Sequence, residues 1–552
     1  MKKLNKRILA LLSFLLITSI AFSAIIPTDG YPKNPKIDAL NYIFNIELSD
    51  NTDVITCEVT VDIRFKGAGV EQIRLDLINA SSALDGKGMV VSSVESSGKT
   101  LKFTHENNEL FIHLPEPSTL NQRDQYIIRY KGIPASGLHI GNNKHGDRTF
   151  FSDNWPNRGR NWLSTIDHPY DKAMCEFIVT APNHYQVVSN GLKIEETNLD
   201  NNKKLTHWKQ SIPIASWLYV LGVAEFAVQY VDEFDGKSIE TWVFKQDRDA
   251  GFYDFAEPTK QALEFYSDYV GPFSYEKLAN IQSNSVSGGM EAASAILYSA
   301  GSVVGVRNTR WRNVVIHEIA HQWFGNAVTE YDWDDIWLSE GFATYFTLLF
   351  IEHQYGRDEF VDGLRSSQKR VDTFYEKHPE YTIVHDNLKD MKDVTTSQIY
   401  QKGSWILHML RGVVGTDDFW KGIQIYYNQY KDLNATTADF MRVMEEVSGK
   451  DLDAFFEQWL YKPGILKLKG NWKYNKRTSE VIISLNQMQT DGSLFEMPIE
   501  IGVDFGNRPQ HIELVQINGK SNSFKIKVDK EPKNIILDPN YWVLMNFDFK
   551  KD

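Results

Sequence analysis

The pattern of apolar positions changes character twice along the chain. Over residues 39–234, apolar and polar residues alternate or nearly alternate in short runs that turn residues separate. Residues 248–275 and 308–461 instead repeat their apolar positions with a helical period. Alternation returns from Ile465 onward. The pattern therefore predicts a β region, then a mainly helical region, then a second β region.

These changes divide the 552 residues into segments, because a chain of this length exceeds what one hydrophobic core organises. We predict a multidomain α+β fold in which a helical domain follows one β domain and precedes another. The short strands of the second β region favour a β-sandwich. The predicted segments are a secretory signal (1–23), a flexible lead (24–36), an N-terminal β domain (37–234), a mainly helical domain (235–462) and a C-terminal β-sandwich domain (463–552).

The first segment has the features of a cleavable secretory signal. Basic residues at positions 2–7 precede an apolar stretch over residues 8–20, and the small residues Ala21 and Ser23 occupy the cleavage positions. A membrane anchor is the alternative, but the stretch is shorter than the about 20 residues that a membrane-spanning helix needs. We therefore expect an exported protein, periplasmic or extracellular, with no stable membrane span after signal removal.

Composition narrows the classes of partner. The net charge of −13 argues against nucleic acid, whose binding needs a basic surface. The hydrophobic content of 42% is that of a globular protein. An acidic surface mildly favours cationic ligands such as peptide N-termini, although solubility explains it equally well.

The two cysteines, Cys57 and Cys175, give no metal-binding pattern. Export permits a disulfide between them, because disulfides persist in oxidising compartments. Two unpaired thiols explain the sequence equally well, so both possibilities stay open.

His317, Glu318 and His321 form the clearest chemical pattern in the chain. The residues around them have helical spacing, and a Gly-Asn pair then offers a stop. On a helix, His317 and His321 lie one turn apart on the same face, so both imidazoles can reach one ion. This is the HExxH pattern of zinc peptidases, in which the glutamate is the general base.

Glu340 is a carboxylate inside a second apolar helix that we predict to run from about Trp337 to Ile351. Burying a carboxylate is costly unless it is paired or bound to a metal. Eighteen residues separate His321 from Glu340, enough for a turn and a helix that returns to the same ion. Two histidines and one glutamate leave a fourth position for water, which marks a catalytic zinc site.

The segments HEIAHQWFGN and WLSEGFATYF, at this separation, resemble the zinc site of the gluzincin aminopeptidases, the family of aminopeptidase N and leukotriene hydrolase. The resemblance covers most of residues 37–462. It implies that residues 235–462 form a thermolysin-like catalytic domain. It also implies one Zn²⁺ per chain, held by His317, His321 and Glu340.

The stretch Gly288-Gly289-Met290-Glu291 resembles the family's substrate-binding motif. Adjacent glycines let the backbone lie close to an extended peptide, which pairs like an added strand. The resemblance implies that Glu291 takes the free α-ammonium group of the substrate. Ala292 stands where the family usually has asparagine, so a contact from that asparagine is not expected here.

Tyr400 precedes a helical run and belongs to a Tyr-Gln-Lys-Gly stretch that resembles the family's Tyr-Glu-Lys-Gly motif. A tyrosine hydroxyl aimed at the scissile carbonyl can donate to the oxyanion as charge develops. The family often has a second amine anchor, a Gln or Glu, in the N-terminal domain. The corresponding region here has neither, and Asp153 is the residue that could serve.

The resemblance implies an aminopeptidase that acts on peptides with a free N-terminus. Zinc would activate a water molecule, Glu318 would pass the water's proton to the leaving amine, and Tyr400 would stabilise the oxyanion. An endopeptidase is the main alternative, since it would not need Glu291. The general pattern does not predict the epoxide hydrolase activity of one relative, and a non-enzymatic binding module would be expected to lose metal ligands. The preferred first residue and the oligomeric state stay open.

Overall fold

The computed structural model describes residues 29–552 apart from 385–387, 389–390 and 507–509. The predicted secretory signal over residues 1–23 therefore lies outside the described residues, as does the part of the predicted lead before residue 29. Within the described part of the chain, no helix is both long enough and apolar enough to cross a bilayer.

The N-terminal region is a β domain of three sheets. An eight-stranded sheet has the order β13-β14-β11-β1-β2-β8-β4-β5, beside sheets ordered β12-β15-β10-β9 and β3-β7-β6. The strands are β1 Ile37–Glu47, β2 Ile55–Phe65, β3 Gln72–Asp76, β4 Gly88–Ser96, β5 Lys99–Thr100, β6 Phe103–Glu106, β7 Glu109–His113, β8 Arg123–Ile133, β9 Leu138–Asn142, β10 Arg148–Ser152, β11 Lys172–Pro182, β12 Gln186–Ser189, β13 Leu192–Leu199, β14 Lys203–Ala215 and β15 Leu221–Ala224.

The alternation that predicted these strands corresponds to one buried face. Every second residue of β11 is buried, and the residues between them are half-buried. Successive side chains of a strand point to opposite sides of the sheet, so this alternation places the apolar set against the core. A slip of one residue would turn that set toward solvent, which makes the register of the central strands well specified.

Both cysteines lie in this domain, on the two strands that flank β1. Cys57 is opposite Ile46, and Cys175 is opposite Tyr42. Both are buried free thiols, so the structure supports two unpaired cysteines rather than a disulfide. Burial raises the pKa of Cys57 to about 12, and a thiol in that state is a poor nucleophile.

The central region combines a mixed sheet with helices. The sheet has the order β16-β17-β18-β20-β19, and a separate pair joins β21 to β22. The strands are β16 Phe226–Phe234, β17 Lys237–Phe244, β18 Lys277–Ser283, β19 Gly289–Met290, β20 Ala295–Ser299, β21 Val328–Glu330 and β22 Leu433–Ala435. The helices are α1 Arg248–Tyr269, α2 Thr309–Ala320, α3 Trp337–Tyr355, α4 Arg357–Tyr375, α5 Gly403–Val414, α6 Thr416–Tyr430, α7 Thr437–Ser448 and α8 Asp453–Leu460.

The domain boundary predicted after residue 234 needs correction. β16 and β17 form an antiparallel hairpin, and β17 then pairs in parallel with β18 of the central sheet. The predicted boundary falls in the turn of this hairpin. Alternation identifies β16 as a strand but does not say which sheet the strand joins, so the sequence assigned it to the preceding β domain.

Helix ends follow local capping chemistry. The Asn308 side chain accepts from the backbone N–H of Arg310 where α2 begins. Thr436 and Asp439 form a capping box at the start of α7. Residues 437–460 hold two helices, α7 and α8, because Gly449 adopts the left-handed conformation that ends α7.

The C-terminal region has two sheets, ordered β27-β24-β23-β29 and β26-β25-β28. Alternate residues of β24 and β25, such as Ile483 and Ile501, are buried. The strands are β23 Leu466–Asn475, β24 Glu480–Gln487, β25 Met497–Asp504, β26 His511–Ile517, β27 Ser521–Lys527, β28 Asn534–Leu537 and β29 Met545–Lys551. The predicted multidomain α+β class, with β domains before and after a helical region, is confirmed.

Residues 29–36 of the lead, which was predicted to be flexible, make defined contacts with two domains. Asp29 Oδ2 lies 2.6 Å from His168 Nε2 in the N-terminal domain. Lys33 Nζ forms an ion pair with Asp332 in the central domain and lies 3.4 Å from Asp29. The Asp29 and Asp332 side chains are 3% and 1% exposed. The lead thus ties the two domains through buried charges.

We predict that Lys33→Met lowers the free energy of unfolding by about 3–5 kcal/mol, because it leaves buried carboxylates without their cation. Urea denaturation should show a lower midpoint. Lys36→Met is the matched control, since Lys36 is an exposed residue of the same segment, and should change stability by less than about 0.5 kcal/mol. Equal midpoints for the two variants would contradict a stabilising role of the ion pair.

Candidate active site

His317 and His321 lie near the C-terminal end of α2. Their Nε2 atoms are 3.2 Å apart, as the one-turn spacing predicts. His321 is 1% exposed, and its Nδ1 atom lies 3.1 Å from the carbonyl oxygen of Phe324 and 3.1 Å from Ser339 Oγ. These contacts orient the imidazole so that Nε2 faces His317.

Glu340 lies in the first turn of α3 and brings its carboxylate to the same point. Glu340 Oε2 is 3.2 Å from His321 Nε2 and 3.5 Å from His317 Nε2. One ligand atom from each of the three residues lies within 4.8 Å of the others. The structure therefore brings together the three side chains that the sequence predicted as a metal-binding set.

The electrostatics of this set favour a cation. Glu340 is 4% exposed, and its Oε2 atom faces the two imidazole nitrogens. Burial raises the pKa of Glu340, but His321 and His317 outweigh it and hold that pKa at about 2. Burial lowers the pKa of His321, yet Glu291 and Glu340 raise it to about 10. The negative field that retains a proton on His321 also attracts a metal ion, and two imidazoles with one carboxylate fit zinc.

Glu318 is buried beside this set. One oxygen of Glu318, one of Glu291 and a nitrogen of His321 lie within 4.8 Å of one another. Burial, and then the neighbouring Glu291, raises the pKa of Glu318 well above its usual range. A Cβ atom on Gly289 would stand 2.3 Å from the Glu318 side chain, so the glycine makes room for this carboxylate.

Gly289 and Met290 form β19, the last strand of the five-stranded sheet. β19 pairs on one side only, with β20, where Gly289 lies opposite Tyr298. A Cβ atom on Gly288 would meet no atom of the described residues within 4 Å. The free side of β19 can therefore accept an extended peptide as an added strand.

Glu291 directly follows β19 and is 5% exposed. Its Oε1 atom has no hydrogen-bond partner among the residues that the structure describes. Burial raises the pKa of Glu291 to about 7, with Glu340 and Asp153 adding to the effect and His321 opposing it. A buried carboxylate with an unpaired oxygen, close to the metal-binding side chains, is suited to a cationic group of a ligand.

Asp153 lies near enough to affect Glu291, but its carboxylate is already paired. Arg158 Nη2 lies 2.6 Å from Asp153 Oδ2. Burial raises the pKa of Asp153, and Arg158 opposes that rise. The structure thus gives Asp153 an ion-pair partner that the sequence did not suggest.

Tyr400 lies in a π-helical turn, Gln398–Lys402, that leads into α5. Its hydroxyl donates to Glu340 Oε1 at 2.6 Å, and its ring stacks 6.2 Å from the His317 ring. The start of α5 and helix α3 lie close together at Gly403 and Gly341. A Cβ atom on Gly403 would lie only 3.0 Å from the Gly341 Cα atom, so the glycine permits this close packing. Irregular helical turns of this kind often occur at functional sites.

Three buried residues near the site were not singled out from the sequence. Gln322 and Asn326 contact the backbone of Glu291. Glu330 is 1% exposed, and within the described part of the chain neither of its carboxylate oxygens has a hydrogen-bond partner. Their proximity to the HExxH segment was the only available signal, because sequence spacing does not show which distant residue a side chain meets.

Comparison with known proteins identifies the family. Residues 255–459 match the peptidase family M1 domain, and residues 38–218 match the peptidase M1 N-terminal domain. The chain belongs to peptidase family M1. Membership implies one catalytic zinc ion, and the set of His317, His321 and Glu340 fits it in donor type and in arrangement.

Relatives of this M1 chain include longer proteins. The probable aminopeptidase 2 of Sulfurisphaera tokodaii is 28% identical over 424 residues, which are 74% of this chain and 53% of that protein. The glutamyl aminopeptidase of Rattus norvegicus is 28% identical over 326 residues, 57% of this chain and 34% of the relative. The chain thus spans about half or less of the length of these relatives.

A solved structure shares the fold of this M1 chain. It is a crystal structure of a mutant M1 zinc metallopeptidase from Deinococcus radiodurans, with a TM-score of 0.66 and 22% sequence identity. The match covers 77% of this chain and 94% of that one. The order of a β-rich N-terminal domain, a helical catalytic region and C-terminal strands is therefore the architecture of the family.

We predict that Gly289→Ala lowers peptidase turnover by about a hundredfold, because the added methyl group displaces Glu318 and a shift of about 1 Å can cost that much. Zinc content should not change, since the three metal-binding side chains are untouched. Gly301→Ala is the matched control, because its Cβ atom would make only ordinary contacts at 3.7 and 3.8 Å. Equal turnover of the two variants would show that the Glu318 position is not critical.

Proposed function

We propose that this M1 protein is a zinc-dependent aminopeptidase that releases N-terminal amino acids from peptides. The observation that carries the proposal is the position of Glu291. Its buried carboxylate lies within 4.8 Å of Glu318 and His321 ligand atoms, at the end of an open strand edge. A free peptide has a cationic α-amino group only at its first residue, so this carboxylate selects that end.

His317, His321 and Glu340 are the residues that would hold the ion. Zinc bound there would polarise the substrate carbonyl and lower the pKa of a water molecule. The backbone of Gly289 and Met290 would pair with the substrate and align its first peptide bond with this point. Gly288, which has open space beside it, would let the substrate backbone approach closely.

Glu318 would act as the general base. It follows His317 directly, and its carboxylate lies within 4.8 Å of the His321 nitrogen. From that position it can take a proton from water and return it to the leaving amine. Burial removes competing solvent, so proton transfer occurs within the site.

Tyr400 would stabilise the oxyanion. Its hydroxyl lies 2.6 Å from Glu340 Oε1, which keeps the O–H group on the metal-binding side of the cleft. The hydroxyl can exchange this acceptor for the carbonyl oxygen as negative charge develops there. A donor that is already oriented needs little reorganisation during the reaction.

We also propose that the protein is exported after a secretory signal is cleaved. The basic start, the apolar stretch and the small residues at positions 21 and 23 support a cleavable signal. The ordered contacts of Asp29 and Lys33 are compatible with a mature chain that begins upstream of them. The mature protein would then act in the periplasm or outside the cell.

The variant Glu318→Gln tests whether Glu318 is the general base. The amide has nearly the same shape but cannot accept a proton, so turnover should fall by at least about a hundredfold. Zinc content, measured by atomic emission, should stay at one ion per chain. Turnover close to that of the unmodified enzyme, with the metal bound, would exclude Glu318 as the base.

Glu291→Ala tests the aminopeptidase assignment. Turnover of aminoacyl substrates with a free α-amino group should fall strongly, because the ammonium group loses a partner in a water-poor site. N-acetylated substrates should be poor for the unmodified enzyme and little changed by the substitution. Efficient cleavage of N-acetylated peptides by the unmodified enzyme would favour an endopeptidase instead.

N-terminal sequencing of the exported protein tests the signal. We expect the mature chain to start after Ser23, since small residues occupy the cleavage positions. A mature chain that still begins at Met1 would contradict cleavage and would favour a membrane anchor.

A further inference from the structure

Two buried amides hold the backbone of Glu291, and the mechanism above does not use them. Gln322 Nε2 donates to the Glu291 carbonyl oxygen at 2.9 Å, and Asn326 Nδ2 donates to the same oxygen at 2.6 Å. Both side chains are 0% exposed. One backbone carbonyl thus receives two side-chain donors from the turn that follows α2.

Gln322 also holds the other end of the short turn after Glu291. Its Oε1 atom accepts from the backbone N–H of Ser294 at 2.9 Å. Ser294 has a φ of 63°, a left-handed conformation that non-glycine residues rarely adopt. Such a conformation persists only where the surroundings impose it, and Gln322 contributes to that restraint at both ends of the turn.

Residues from other elements complete the restraint. Asn190 of the N-terminal domain donates to the carbonyl oxygen of Ala293 at 2.7 Å. Lys277 Nζ, at the start of β18, donates to the carbonyl oxygen of Ser294 at 3.2 Å. The segment that follows Glu291 is therefore fixed from several sides. Among the residues that the structure describes, Gln322 and Asn326 provide the hydrogen bonds between it and the segment that bears the metal-binding histidines.

We infer that Gln322 and Asn326 are positioning residues that set the distance between the Glu291 carboxylate and the His321 imidazole. Gln322 is the next residue after His321, so the same stretch of backbone positions the His321 imidazole and the amide that holds Glu291. This inference rests on the proposed role of Glu291 as the amine-binding group. Its consequence is that these amides determine how strongly the enzyme distinguishes a free N-terminus from a blocked one.

A pair of hydroxamate inhibitors provides the test. One is an amino-acid hydroxamate, and the other is the same compound without its amino group. Both compounds bind the metal, but only the first reaches Glu291. The ratio of their dissociation constants, measured by calorimetry on the zinc-loaded protein, therefore reports the amine contact alone and does not depend on turnover.

We expect Gln322→Met to reduce this ratio by about tenfold, because a carboxylate displaced by a fraction of an ångström loses much of its contact. The affinity for the compound without the amino group and the zinc content should not change. Gln487→Met is the matched control. Gln487 is also buried, and it likewise donates to a backbone carbonyl and accepts a backbone N–H, but it lies in the C-terminal domain.

Asn326→Ala provides a second variant if Gln322→Met does not fold. Asn326 Oδ1 accepts no hydrogen bond from any described residue, so this change removes the bond that Asn326 donates to the Glu291 carbonyl oxygen. The same reduction of the ratio is expected. An unchanged ratio in a folded variant, or an equal loss of affinity for both hydroxamates, would overturn the inference and leave the amides a purely structural role.

Glu291→Ala separates this inference from the proposed function. The ratio for that variant should fall to about one, because the amine loses its partner altogether. If Glu291→Ala keeps the ratio of the unmodified enzyme, the proposed function fails. If only Glu291→Ala changes the ratio, the proposed function stands and the positioning inference fails.

Discussion

The active-site region depends on the burial of carboxylates beside two imidazoles. Glu291, Glu318 and Glu340 are 5%, 6% and 4% exposed and lie around His317 and His321. Removing several negative charges from water costs several kcal/mol for each ion unless a cation compensates them. Positive charge at the point where His317, His321 and Glu340 converge therefore stabilises the site. The burial that makes these carboxylates costly to fold also strengthens their attraction for a cation.

Three buried aspartates in the turn before α3, Asp332, Asp334 and Asp335, hold the start of the helix that bears Glu340. Asp332 pairs with the lead, and Asp334 accepts from the backbone N–H of Leu388 at 2.9 Å. Asp335 accepts from the first residue of α7. Three distant segments therefore converge on one turn of buried side chains. Because Glu340 lies in the first turn of α3, any movement of this turn would carry the carboxylate with it.

What the sequence could predict was local. The grouping of His317 and His321 follows from the helical period, and Glu340 is recognisable as a carboxylate in an apolar helix. The parts that were not predicted depend on contacts between distant positions. Alternation identified β16 as a strand but not the sheet that it joins, and the ion pair of Lys33 made an ordered segment of a proline-rich stretch. Nothing in the spacing of Gln322 indicates that it meets Glu291.

The contact between Lys33 and Asp332 has a consequence for the order in which the chain acquires its structure. The two residues are separated by 299 positions. During synthesis Lys33 emerges long before its partner Asp332 has been made. Closing so long a loop is entropically costly and slow, so the earliest described segment is among the last to find its place. Until then Lys33 is solvated, and the two domains lack the restraint that holds them in the finished molecule.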